Sequence, residues 1–190
     1  MRIGIDCDGV LRDFIGSFRK VVAQEYPNQE IPWMVTSWRF EKDLPWLTQA
    51  EIKDLYREKF ADIVFRDALP IDSRIMEFWA LEKWAKKENH KLICVTSQWP
   101  KIRCHTLYWL GKHNLNFHEV IFEKGRLKWQ RDIDWLIDDS PENYKNWVRG
   151  RGNDKNFIVC DALYNRDINS TYRINSLLDI QEIISNEIKK

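Results

Sequence analysis

Residues 4–14 read GIDCDGVLRDF. An apolar run ends on two acids, Asp6 and Asp8, one residue apart. A glycine follows at position 9, and a third acid, Asp13, precedes Phe14. Like charges at the end of a buried strand repel each other and lose hydration, so the chain needs a reason to keep them there. A spacing of two places both side chains on one side of an extended strand, and Gly9 permits a sharp turn directly after them. Asp13 is expected to stabilise that turn.

Outward from this stretch, a strand is expected over 2–6. A helix follows over 14–26, with Phe14, Phe18, Val21 and Val22 on one face. Residues 31–47, IPWMVTSWRFEKDLPWL, show no clean period and are rich in Trp and Pro. Thr48 and Glu51 form a capping box that opens a helix over 49–60. From about residue 68, helices and strands alternate strictly. Helices are expected over 73–87, from Pro100 to near Gly111, after Pro141 and after Ser176. Strands are expected over 91–97, 118–122, 134–139 and 156–160. Runs such as LICV, WLI and FIVC are apolar at every position, as strands covered on both faces must be. Strands separated by helices imply right-handed crossovers and a parallel sheet. The organisation predicted is an α/β core, residues 1–14 and 68–190, with a helical insertion over 15–67.

In an open parallel sheet, ligands bind beyond the carboxyl ends of the strands. Asp6 and Asp8 follow the first strand, Thr96 and Ser97 follow LICV, and Asp138 and Asp139 follow WLI. Each acid alone could be a helix cap, and Asp139 or Ser140 is placed to cap the helix at Pro141. Three strands delivering four carboxylates and two hydroxyls to one edge ask for a cation. Cys7 between the first two acids reads as a core thiol, so the candidate donors are all hard oxygens, which favours Mg²⁺ together with an anionic phosphate. Asp6 is then a candidate nucleophile, forming an aspartyl-phosphate. Asp8 is a candidate general acid, protonating the leaving alkoxide and later activating water.

Composition narrows the partners. The 190 residues carry a formal net charge of +1, with 44% apolar and 31% charged residues, so no strong field points to nucleic acid or membrane. No apolar stretch is long enough to cross a bilayer, and with Met1 leading straight into a strand no signal peptide is expected. Cys7, Cys94, Cys104 and Cys160 lack metal-binding spacing. The first, second and fourth read as reduced core thiols, which by default implies a cytoplasmic protein. The ten tryptophans are either core filler or stacking surface.

DCDGVLRD resembles the D-x-D-G-x-x-x-D motif of haloacid dehalogenase (HAD) superfamily phosphatases. LICVTS is similar to that superfamily's second motif, and WLIDD to its fourth, acidic one. The third motif is a lysine: Lys128 lies ten residues before Asp138, with Lys124 as its rival. Within the superfamily the likeness is greatest to 5'(3')-deoxyribonucleotidases, whose first motif runs on through the phenylalanine found here as Phe14. The resemblance implies a Rossmann-like core with a small helical cap inserted after strand one. It implies Asp6 as nucleophile and Asp8 as acid and base. Mg²⁺ would be held by Asp6, the Asp8 carbonyl and the Asp138/Asp139 pair, with Asp139 as the direct ligand. Thr96, Ser97 and Lys128 would hold phosphate. Phe14, Trp38, Phe40 and Phe65 would contact sugar or base, each with packing between cap helices as the plain alternative. Two departures stand out: Val95 is an extra residue before Thr96, and Gln98–Trp99 separates Ser97 from Pro100.

Asp8 separates chemistries within the superfamily. A halide leaves without a proton, whereas an alkoxide needs one. The function expected is therefore Mg²⁺-dependent hydrolysis of a small phosphate monoester, foremost a (deoxy)nucleoside monophosphate. A HAD phosphatase for a sugar phosphate or a nucleic-acid end is the first alternative, the latter disfavoured by the near-neutral charge. A non-catalytic binding module that kept the fold is the second, opposed by four filled motifs. Oligomeric state is left open, a homodimer included.

Overall fold

Strands that are apolar at every position need cover on both faces, and the observed sheet supplies it. The computed structural model describes residues 1–189. Six strands pair in parallel in the order β3-β2-β1-β4-β5-β6: β1 (Arg2–Ile5), β2 (Lys91–Thr96), β3 (Glu119–Phe122), β4 (Trp135–Asp138), β5 (Phe157–Cys160) and β6 (Tyr172–Ile174). The order reverses at β1, which has β2 on one side and β4 on the other. A crevice therefore opens at the carboxyl ends of β1 and β4.

Alternate strand residues enter separate cores. Ile3, Ile5, Leu92, Cys94, Trp135, Ile137, Ile158 and Cys160 face one way, against α4 (Arg74–Lys87), α5 (Arg103–Lys112) and α7 (Asp179–Ile188). Ile93, Val95, Leu136, Phe157 and Val159 face the other, against Trp147 of α6 (Pro141–Arg151). Gly4 sits on this second face, where a Cβ would crowd Ile133, Val95 and the Trp135 carbonyl. Cys7, Cys94 and Cys160 are buried, and no disulfide forms among the described residues. No described helix is long and apolar enough to cross a membrane.

A third cluster gathers Phe18, Val21, Val22, Leu44, Leu47, Ile52, Leu55, Val64 and Phe65, with Ile102 the one contributor from beyond residue 65. It is built from α1 (Phe14–Glu25), the single turn α2 (Phe40–Asp43), α3 (Gln49–Asp54) and two π-helical turns, Leu55–Lys59 and Asp62–Arg66. Asp13 caps α1 by accepting from Gly16 N, 2.8 Å. The Thr48/Glu51 capping box forms.

Three sequence expectations differ from the structure. The helix expected over 49–60 stops being α-helical at Asp54, where the bonding widens to π. β6 is a short edge strand, and three residues are too few to show a period. Asp6 and Asp8 do not share an extended strand. Asp6 N still donates to Ile137 O at 2.9 Å, but Leu11 N and Arg12 N then both close on Cys7 O, and Gly9 takes φ +74°. The turn begins between the two acids, not after them.

Candidate active site

The reversal at β1 brings Asp6, Asp138 and Asp139 together. One carboxylate oxygen from each lies within 4.8 Å of the others, and all three residues are buried. Lys128 reaches in from a 3₁₀ segment, Gly125–Gln130, and is itself buried. Its Nζ lies 2.7 Å from both Asp6 Oδ2 and Asp138 Oδ2. Burial alone would pull the lysine pKa down, but the two carboxylates outweigh it and hold the ammonium charged. Lys124 is exposed, at the head of the same segment. Three carboxylates against one lysine leave a net negative charge in a low-dielectric site.

The pair after β4 titrates high, first because it is buried and then because like charges stand close. Burial pushes Asp138 up to about 6, opposed by Lys128, and pushes Asp139 well above the usual carboxylate range with help from Asp138. Asp138 is fully engaged: Ser140 N (2.9 Å) and Asn143 Nδ2 (3.0 Å) on Oδ1, Lys128 and Asn143 Nδ2 (2.9 Å) on Oδ2. Asp139 accepts at Oδ2 from the Tyr164 hydroxyl. Gly9 lies so close to Asp139 that a Cβ there would collide with the carboxylate, a second demand for glycine beside its positive φ.

Asp8 stands at the side of the cluster, partly exposed. Arg12 Nε donates to its Oδ1 at 2.7 Å and Gln98 Nε2 to its Oδ2 at 2.6 Å. Burial raises the Asp8 pKa, with Arg12 opposing. Thr96 is buried at the end of β2, its hydroxyl without a hydrogen-bond partner among the described residues. Ser97 is exposed and donates to Glu123 O at 2.7 Å, so its proton points to the β3 loop.

The four aromatics expected at the substrate split into two sets. Phe14, Phe40 and Phe65 belong to one stack: Phe14 lies 6.0 Å from Phe40 and 5.7 Å from Phe65, and Phe40 lies 5.0 Å from Phe18. Trp38 instead reaches across to Tyr164, 5.6 Å between ring centres. A cleft of about 330 Å³ runs along this side, lined among others by Gly9, Phe14, Arg19, Trp33, Met34 and Tyr164. A larger concavity, about 600 Å³, lies around Trp129, Asp132 and Arg151 ahead of β4, at the opposite end of the strands from the aspartates.

Sequence reasoning missed Arg12, Gln98, Asn143, Tyr164 and Asn165. Asn143 is the third residue of α6 after the Ser140 cap, a position from which a side chain naturally reaches back. Tyr164 and Asn165 follow β5 at the same carboxyl edge, but an aromatic and an amide carry no motif. Buried Asn165 donates to Asp139 O and Cys160 O, both 2.8 Å, and fixes the backbone of the Asp139 loop.

The sequence profile of the family described as "5' nucleotidase, deoxy (Pyrimidine), cytosolic type C protein" matches residues 1–189. The chain belongs to this family. A protein of Chlorobaculum tepidum, named as a proposed 5'(3')-deoxyribonucleotidase, is 27% identical over 165 residues, 83% of this chain and 77% of that one. Solved structures share the fold at lower identity. A haloacid dehalogenase-like protein of unknown function from Agrobacterium tumefaciens matches this nucleotidase-family chain with TM-score 0.67 at 13% identity, covering 98% of each. A HAD family hydrolase from Deinococcus radiodurans, holding phosphate and sodium, gives 0.62 at 13% identity over 97% and 95%. A candidate HAD hydrolase from Bacillus subtilis, bound to magnesium, gives 0.60 at 16% identity over 97% and 98%. The six-stranded parallel sheet of this nucleotidase-family member is the HAD-type α/β fold.

Proposed function

We propose that the protein is a Mg²⁺-dependent phosphatase that hydrolyses (deoxy)nucleoside monophosphates through an aspartyl-phosphate on Asp6. The observation that carries this reading is the buried Asp6/Asp138/Asp139 cluster with Lys128 at the strand-order reversal. Family membership supports the substrate class.

The donor set fits a hard divalent ion: all oxygens, in a buried site where three carboxylates face one lysine. Asp6, Asp139 and the Asp8 carbonyl would hold it, with Asp138 orienting Lys128 and the loop. Mg²⁺, when bound, supplies charge neutralisation for the carboxylates and the incoming phosphate. The phosphate- and magnesium-bound fold neighbours are in keeping with that.

The chain's own residues do the rest. A carboxylate oxygen of Asp6 attacks phosphorus as the bond to the leaving oxygen breaks, and Asp8 gives that oxygen its proton. Asp8, now a carboxylate, takes a proton from water, whose oxygen attacks the phosphoryl group. Phosphate departs and Asp6 is regenerated. Lys128 and the unpartnered Thr96 hydroxyl hold phosphate oxygens. Residues 15–67 act as a cap, with Trp38 and the cleft beside it receiving the nucleoside. Membership of a cytosolic-type family supports a cytoplasmic setting.

A turnover screen over nucleoside monophosphates and sugar phosphates, with Mg²⁺ and with EDTA, tests this. Nucleotide-selective, EDTA-sensitive release of phosphate is expected. EDTA-insensitive release would remove the metal, and preference for sugar phosphates would remove the nucleotidase reading.

A further inference from the structure

Arg12 is the last x of the D-x-D-G-x-x-x-D motif, a position the resemblance leaves free. Here it is a fully buried cation. Its Nε donates to Asp8 Oδ1 at 2.7 Å, its Nη1 to Phe65 O at 2.8 Å and its Nη2 to Thr106 Oγ1 at 3.1 Å. The rings of Phe65 and Trp109 flank the guanidinium at 5.1 and 5.4 Å. Among the described residues, Asp8 is the carboxylate it pairs with.

A staple between Phe65 and Thr106 alone does not explain a charge. Taking a guanidinium out of water is costly, and a neutral donor would meet a carbonyl and a hydroxyl equally well. The third partner explains it. Each Asp8 oxygen has its own donor: Arg12 on Oδ1 and, from the loop after β2, Gln98 on Oδ2 at 2.6 Å. Two donors on two oxygens fix the plane of the carboxyl, and the rigid guanidinium fork transmits the position of Phe65 and Thr106 to it. The linkers on either side of the insertion are zipped at the same place, Asp13 N to Leu69 O and Ile71 N to Leu11 O, both 2.9 Å.

We infer that Arg12 is a positioning residue: it holds the Asp8 carboxyl in the orientation from which it exchanges a proton with the leaving oxygen, and references that orientation to Phe65 at the end of the helical insertion and to Thr106 of α5. This rests on the phosphatase reading above.

The test compares Arg12→Gln, Asp8→Asn and the double variant in the full-length protein with Mg²⁺. Substrates are a nucleoside monophosphate, whose alkoxide needs a proton, and p-nitrophenyl phosphate, whose phenolate hardly does. Arg12→Gln should lower kcat/KM roughly 100-fold on the nucleotide, but less than ~5-fold on the aryl ester, the pattern of a lost general acid. The double variant should stay within ~3-fold of Asp8→Asn alone, because both remove one function. Inhibition by inorganic phosphate should hold within the same factor. Equal losses on both substrates, or a double variant that multiplies the two defects, would make Arg12 a structural staple only. Should Arg12→Gln not fold, Thr106→Val keeps the Arg12–Asp8 pair but loosens its anchor. It should lose several-fold on the nucleotide and nothing on the aryl ester, and an even loss would overturn the inference. Absence of turnover of either ester by the wild type would overturn the phosphatase reading and this role with it. Turnover in which Arg12→Gln does not follow Asp8→Asn would overturn only the role of Arg12.

Discussion

At the carboxyl edge of the sheet, Asp138 alone accepts from Lys128, Ser140 and Asn143, and the Asp139 loop is fixed by Tyr164 and Asn165. In the helical insertion, aromatic rings meet one another and leave others in solvent: Phe65 is 3% exposed, Trp38 39% and Trp33 80%. The first region is an electrostatic device in which each group is defined by a neighbour of fixed geometry. The second is a hydrophobic one, in which residue type says little and burial says nearly everything. The comparison teaches that a change at the sheet edge should act on chemistry, while a change in the insertion should act on stability or on recognition, according to which way the ring faces.

The largest effect tests the chemical side. Asp6→Asn keeps the shape of the site but removes the attacking charge, so turnover of any phosphate ester should fall ~10³-fold or more. Near-normal turnover would end the covalent mechanism.

The next concerns the metal. Asp139→Asn should weaken Mg²⁺ binding by about 10–100-fold, with excess Mg²⁺ restoring part of the rate. The same carboxylates give a pH signature. Asp138 has its pKa raised from 3.8 to about 6 by burial. Its contribution to the metal-free fold is therefore present below 3.8 and lost as pH rises through about 6. Mg²⁺ needs ionised carboxylates, so the gain in Tm on adding Mg²⁺ should grow across that window. A gain of equal size on both sides of it would place the metal away from the Asp138 carboxylate.

The smaller effects separate the two kinds of ring. Phe40→Ala opens the stack with Phe14 and Phe18, and should cost about 2 kcal/mol of stability in a denaturant titration, with similar losses on every substrate. Trp38→Ala should raise KM for a nucleotide by roughly 5- to 150-fold, the value of one base-stacking contact, and leave p-nitrophenyl phosphate nearly untouched. An equal loss on both substrates would turn Trp38 into packing against Tyr164 and merge the two regions into one.

Much of the sheet edge was legible in the residues. Runs apolar at every position define strands covered on both faces, and acids placed just after two of them, with hydroxyls after a third, converge wherever the sheet is parallel. That logic reaches Asp6, Asp8, Asp138 and Asp139 without coordinates, and the ten-residue spacing to Asp138 favours Lys128 over exposed Lys124. Other features needed the fold. The turn between Asp6 and Asp8 is decided by Gly9 meeting Asp139 across the crevice, a contact between residues 130 positions apart. Asn143 and Tyr164 act on the carboxylates, and Asn165 on the Asp139 backbone, through hydrogen bonds whose partners are chosen by packing, not by any repeat in the chain. Arg12 looks like an interruption in an apolar run until Phe65, Thr106 and Trp109 close around it. Local periodicity and residue chemistry determine which elements form and which end of them is charged. Which polar atoms come within about 3 Å of one another depends on three-dimensional closure, because hydrogen-bond energy is steep in distance and angle.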